Sequence, residues 1–186
     1  MSAKLREDQV LLKNVRIGYP KIFTPEAVKG VEDGKERFGC VGYLPKDDEV
    51  TKARIDKIVK QLVTDKLNSV MPKGRDIFIT DGDGEDGDEN TEGTWVLSIN
   101  RAKKQGRPQI ISRKGSQLAE EDGAIYGGCR VNILFGIYVP GKWKKISASL
   151  EIVQFWEDDD PFGAPPADVS VMPGLGEDDE NDDFDV

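Results

Sequence analysis

Histidine is absent from all 186 residues. That absence removes catalytic triads, two-histidine metal centres and imidazole general bases together, leaving only carboxylate or lysine chemistry open. Cysteine is scarce as well. Cys40 and Cys129 have no CxxC neighbour to build a zinc site, and their apolar strand-like contexts predict two reduced, buried thiols. No apolar run approaches the ~18 residues a membrane span requires. The N-terminus, MSAKLREDQV, lacks the apolar stretch of a signal peptide, so a cytoplasmic protein that meets no membrane is expected. There is no internal repeat. At this length one well-cored domain with extra segments is expected.

Positive charge is missing from two stretches. From Glu157 to Val186 there are 12 acids and no Lys or Arg, and residues 81–92, DGDGEDGDENTE, hold 7 acids and again no base. The formal net charge of −9 is therefore misleading. Of 35 acids, 16 remain outside these blocks to face all 26 Lys and Arg, so the body carries about +10. Such a body attracts polyphosphate and gains from counterion release. The acidic blocks read as flexible, solvated appendages able to compete for that basic surface.

Alternating apolar residues mark strands at 10–19, 37–44, 75–80, 94–102, 107–112, 129–139 and 145–156. In the first, Leu11, Val15, Ile17 and Tyr19 share one parity, and Pro20 is expected to end it before a long loop over 20–36. In the last, Ile146, Ala148, Leu150 and Ile152 point one way. Between 48 and 70 the period becomes helical, with Val50, Arg54, Ile55, Ile58, Val59, Leu62, Val63, Leu67 and Val70 recurring at three- and four-residue spacing. Asp47 or Asp48 can cap its start, and Pro72 with Gly74 ends it. This pattern predicts a mainly β fold: an OB-like Greek-key barrel over 1–156 with one amphipathic α-helix, followed by a disordered acidic tail over 157–186.

Single-strand binding needs Lys and Arg for the backbone and exposed aromatics for the bases. The sequence places both in the same stretches: Arg16 with Tyr19 and Phe23, Arg37 with Tyr43, and Trp95 ahead of Lys103, Lys104 and Arg107. Arg130 and Tyr138 share the outer parity of one strand, and Lys142, Trp143 and Lys144 occupy the following hairpin loop. Phe38 and Phe135, on the inward parity, read as core, and Trp95 fits either role. No basic recognition helix for a major groove is present.

The acidic stretch at 81–92 echoes an EF-hand loop, with acids at its first, third, fifth and twelfth positions. Its sixth residue is Asp86 where that turn needs glycine, and strands flank it, so no calcium site is expected. A two-metal nuclease using Asp76, Asp81 and Asp83 would need rigidly held carboxylates, which a glycine-rich acidic loop does not offer. A solvated hairpin loop that shields or gates the basic face is expected instead.

Several segments resemble the single-stranded-DNA-binding proteins of tailed bacteriophages. They are LKNVRIGYPKIFTPEA, GYLPKDD, W-x-L-x-I-N-R-A-K with RPQII, YGGCRVN, and K-x-I-S-A-S-L-x-x-V-Q-F. The resemblance covers most of 10–156 and implies an OB fold and sequence-independent binding. It also implies a tail that contacts replication or recombination proteins and occupies the DNA groove when DNA is absent. It draws attention to Tyr19, Phe23, Arg107 and the Tyr126–Asn132 strand entry. The tail residues concerned are Asp178, Asp179, Glu180, Asp182, Asp183, Phe184 and Asp185. DDDPF at 158–162 repeats their acid–aromatic pattern. This chain departs from the pattern in its long acidic loop and in the Asp185–Val186 that follows Phe184.

The expected function is therefore a non-enzymatic coat for exposed single-stranded DNA in phage replication or recombination, in the bacterial host cytoplasm. No cofactor or metal is expected, and a homodimer is left open. The rival readings are an acidic interaction protein or DNA mimic that sequesters basic partners, and a carboxylate-metal nuclease.

Overall fold

A computed structural model describes residues 3–27, 34–141, 143–163, 167 and 171–173. Its first strand, β1 (Gln9–Ala27), is 19 residues long and runs straight through Pro20. The expected loop is thus largely strand. Pairing with the next strand skips from Gly18 to Lys21, so Pro20, which lacks a backbone donor, sits in a bulge where no ladder bond is lost. Tyr19 in that bulge has φ +45°, and an earlier bulge holds Asn14 at φ +50°. The bulge at Asn14 also corrects the expected parity. Val10 and Leu12 are buried before it, and Val15 and Ile17 after it.

β2 (Glu36–Pro45) pairs antiparallel with β1, and β4 (Thr94–Ala102) pairs antiparallel with β2 along its whole length; between them in sequence lie α1 (Glu49–Lys66) and the short β3 (Ile79–Asp81). Next come β5 (Gln109–Ile111), β6 (Arg130–Tyr138) and β7 (Ser147–Glu157). β6 pairs antiparallel with the first half of β1 and with β7. β7 meets β4 in parallel at Ser149 and Asn100, which closes the ring β4–β2–β1–β6–β7. β3 extends β4, and β5 runs parallel on β7. The result is the OB-like five-stranded barrel with one helix.

The barrel interior is filled by Leu12, Ile17, Leu44, Leu97, Ile99, Ile133, Phe135 and Leu150, all fully buried. Phe78 packs edge-on against Phe135 at 5.8 Å. β2 presents Gly42 inward because an added Cβ there would lie 3.0 Å from Leu12 Cδ1. In β7 a register shift between the Leu134 and Phe135 pairings skips Glu151. This corrects the expected parity: Val153 is buried and Ile152 only half-buried.

Asp48 caps α1 by accepting from the Thr51 amide at 3.0 Å. The helix buries Ile55, Val59 and Val63, and Arg54 ties it to β1 by donating to the Gln9 and Arg6 carbonyls at 2.7 and 2.9 Å. It ends earlier than expected, since Asn68 and Ser69 take φ +50° and +62°, and both ends of the expected apolar set, Val50 and Val70, are exposed. The predicted strand over 75–80 is instead a 3-10 turn, Gly74–Asp76, leading into β3.

Truncating Phe135 to Ala should lower the unfolding free energy by about 3–5 kcal/mol in urea denaturation. Burial pushes the Cys40 thiol up to about 12. Cys40 should therefore resist thiol reagents at pH 8 until the protein unfolds.

Candidate nucleic-acid interface

Arg16 of β1 lies directly across from Arg130 of β6 on one side and from Tyr43 of β2 on the other. This register brings two guanidinium groups and a phenol together on the outer wall of the barrel. Like charges at such a cross-strand position repel, so the pair calls for an anion between them. The chain supplies one itself.

Beyond β7 the backbone turns back over this wall. Asp159 accepts a hydrogen bond from Arg130 Nε at 2.8 Å and lies 3.6 Å from Arg16 Nε. Arg16 also donates to the carbonyls of Gly128, at 3.0 Å, and Asp160. Phe162 places its ring edge-on to Tyr43, 5.3 Å between centroids, with the Arg16 guanidinium 4.2 Å from the ring centre. The Phe162 amide donates to the Gly127 carbonyl at 2.9 Å. Tyr126 accepts from the Asp159 amide at 3.2 Å, and its hydroxyl points to the Asp159 carbonyl at 2.9 Å. Gly128, at φ +111°, is required beneath this strap, since a Cβ would fall 2.4 Å from the Asp160 carbonyl. Packing onto the barrel thus continues through residues 157–163, past the Trp156 boundary expected for the body.

The strap leaves Tyr43 only 8% exposed. Burial pushes its phenol up, reinforced by the charges of Tyr19 and Asp88. The Asp160 amide, which donates to Asp159 at 2.7 Å, is the main cause holding the Asp159 carboxyl below its ordinary value; Arg130 and Arg16 add to it.

Not all of the expected residues fall on this wall. Tyr19 is 74% exposed in its bulge. Farther along β1, Phe23 lies under Arg107, 5.9 Å from the guanidinium to the ring centre. Arg37 is half-buried, Lys104 is exposed, and Lys103 forms an ion pair with Glu36. Trp95 stands apart, half-buried between the ammonium groups of Lys52 and Lys46 at 4.3 and 5.0 Å. Tyr138, Trp143 and Lys144 are exposed, the last two beside Lys66 and Leu67 at the end of α1. Tyr138 is eight residues along β6 from Arg130, about 27 Å of strand. Sharing an outer parity therefore does not bring them together. Lys142 and the tail residues Asp178, Asp179, Glu180, Asp182, Asp183, Phe184 and Asp185 lie outside the described residues.

Two aromatic rings with cation contacts, neither among the expected site residues, escaped the sequence reading. One is Phe162 on Arg16; the other is Trp156 with Arg113, 4.0 Å from guanidinium to ring centre. DDDPF was visible as a motif, but nothing local ties it to Arg16, 144 residues earlier. Arg113 sits in a turn with no strand pattern to pair it with Trp156.

The acidic stretch is the exposed loop of the β3–β4 hairpin, as expected, but it is held by specific contacts rather than free. Asp81 and Asp83 both accept from Lys46, at 2.5 and 2.6 Å. Asp83 also caps the Gly93 amide at 2.8 Å, and Thr91 donates to the Gly82 carbonyl at 2.7 Å. Asp76 faces Lys145 instead, 3.7 Å away. The carboxylate trio of the nuclease reading is therefore not assembled.

A family model described as Enterobacter phage Enc34, ssDNA-binding protein, matches residues 8–184. The chain belongs to the Enterobacter phage Enc34 ssDNA-binding protein family. Protein p50 of Acyrthosiphon pisum secondary endosymbiont phage 1 is 29% identical over 164 residues, covering 83% of this chain and 86% of that protein. Among solved structures, the single-stranded DNA-binding protein from bacteriophage Enc34 in complex with ssDNA matches with a TM-score of 0.72 and 27% identity, covering 87% of this chain and 97% of that one. Another structure of the single-stranded DNA-binding protein from bacteriophage Enc34 gives a TM-score of 0.70 at 27% identity, over 91% and 96% of the two chains. For gp2.5, a single-stranded DNA binding protein encoded by bacteriophage T7, the values are 0.54 and 17% over 91% and 95%, a likeness of fold.

Because the folded strap lowers the Asp159 value, its contribution is present above the ordinary carboxylate value of 3.8 and is lost as pH falls through the lower folded one. The Phe162 amide resonance should therefore report a docked strap at pH 5 and a released one only below 3.8. In Asp159→Asn the docked population should already be reduced at neutral pH.

Proposed function

We propose that the chain coats single-stranded DNA without sequence preference, and that residues 158–162 occupy the same wall until DNA displaces them. One observation carries this reading. The strap delivers a carboxylate to Arg16 and Arg130 and an aromatic ring to Tyr43, matching the charge and shape of a phosphate followed by a base. Family membership supports it, as does the likeness to an Enc34 structure that contains ssDNA.

In this mechanism Arg16 and Arg130 neutralise phosphates and release counterions, while Tyr43 and Tyr19 offer faces to unpaired bases. The path continues along β1 to Phe23 and Arg107, with Arg37, Lys103 and Lys104 adding positive charge at that end. A duplex hides its bases from such a wall, which favours single strands. The contacts are to backbone and ring faces, so every base is accepted. This role needs no catalysis and no cofactor. It suits a phage protein acting on exposed strands during replication or recombination in the host cytoplasm. The distal acids, Asp178 to Asp185 around Phe184, would recruit replication or recombination proteins once DNA holds the wall.

Fluorescence anisotropy with a labelled oligonucleotide across several salt concentrations tests this. Arg16→Ala and Arg130→Ala should each weaken binding and reduce the salt slope by about one. Loss of a stacking ring in Tyr19→Ala should cost about 1–3 kcal/mol, with the slope unchanged. Asp159→Asn combined with Phe162→Ala should bind more tightly than the parent. If all of these variants bind like the parent, the assigned wall is wrong.

A further inference from the structure

The barrel carries a second aromatic and cationic pocket, away from the proposed DNA path. Leu67 at the end of α1, Val139 and Trp143 line it, with Lys66, Gly141 and Lys144 around them, and it encloses about 570 Å³. Trp143 is 68% exposed, and Val70 and Met71 after the helix are 66% and 48% exposed. Lys145 places its ammonium group 5.7 Å from the Trp143 ring centre. Among the described residues neither Lys66 nor Lys144 has an ion-pair partner. Exposed apolar surface rimmed by cations suits a segment that offers one apolar side chain flanked by acids.

The chain contains two such segments. The first, Asp158 to Phe162, shows how this protein reads them: the carboxylate goes to guanidinium groups and the ring to an aromatic. The second, Asp182–Asp183–Phe184–Asp185–Val186, has the same acid–aromatic order and lies outside the described residues. The wall of Arg16 and Tyr43 is already taken by the first segment. We propose that the second docks in cis in the Leu67–Val139–Trp143 groove, with Phe184 against Trp143 and its flanking acids facing Lys66 and Lys144. The carbonyls at the end of α1 disfavour an acid there, and Lys66 in the last turn offsets them.

Geometry allows the same molecule to supply the segment. Phe162 packs on Arg16, whose cross-strand partner is Arg130, and Val139, just past the end of β6, is nine residues from Arg130, about 30 Å. The 21 residues between Phe162 and Phe184 can span up to about 70 Å. Tethering sets a local concentration on the order of mM, which favours the molecule's own segment over that of a second copy. A replication or recombination protein that takes the tail would then compete with this groove rather than with DNA alone.

The test uses the full chain without DNA, with Phe184 replaced by photoreactive benzoylphenylalanine. Equal parts of isotope-labelled and unlabelled chain are mixed, irradiated and mapped by mass spectrometry. The expected cross-links join Phe184's position to residues 66–71 or 139–144 of the same molecule. Trp143→Ala with Lys144→Glu should reduce them about fivefold or more, as loss of one aromatic contact implies. Cross-links to the Arg16 and Tyr43 wall, links between labelled and unlabelled copies, or links without a preferred site would each overturn the proposal. With no DNA present, failure here is separate from failure of single-strand binding, which the anisotropy measurement reads alone.

Discussion

The junction of β4 with β7 is the contact on which the rest of the barrel depends. The other strand pairs of the ring are antiparallel ladders, but this one is a parallel contact at Asn100 and Ser149 alone. Side chains reinforce what so short a ladder cannot hold. Arg101 donates to the Leu150 carbonyl at 3.2 Å and to the Gly106 and Gln105 carbonyls at 2.8 and 2.9 Å, stitching β4, the following turn and β7 together. Closure removes the open edges that β4 and β7 would otherwise present. It also demands curvature, which the bulges in β1 and β7 provide.

Those bulges decide which residues face outward, and so they set the character of the outer wall. Because β1 kinks at Asn14 and again at Tyr19, Arg16 points outward between Arg130 and Tyr43 while Val15 and Ile17 point inward. Two guanidinium groups side by side are unfavourable without an anion, and the strap meets that need with Asp159. A phosphate would meet it equally well. The strap's hold is thus chemically matched to a nucleotide, and its contacts are mostly partly exposed, which keeps each one weak enough to exchange.

Charge segregation in the sequence becomes spatial segregation in the fold. The acidic stretch after β3 is pinned by Lys46 rather than spread over the barrel, and the charge of its Asp88 is felt at Tyr43. The acids of the strap lie on the proposed DNA path itself, at Arg16 and Arg130. Strong local attraction at Arg16 and Arg130 coexists with a protein that is negative as a whole.

The alternating pattern of 129–139, the helical period around Ile55, Val59 and Val63, and the paired basic and aromatic residues were legible in the sequence. Each rests on local spacing that residue chemistry imposes, and barrel, helix and nucleic-acid class followed from them. The strand through Pro20 and the inward turn of Val153 were not legible, because bulges reset the parity and depend on partner strands. Nor was the meeting of Arg16, Arg130, Tyr43, Asp159 and Phe162, which lie up to 146 positions apart. The separation of Tyr138 and Trp143 from that group was equally hidden. Periodicity tells which way a side chain points from its own strand. Only the closed barrel, through register and bulges, decides what it points at.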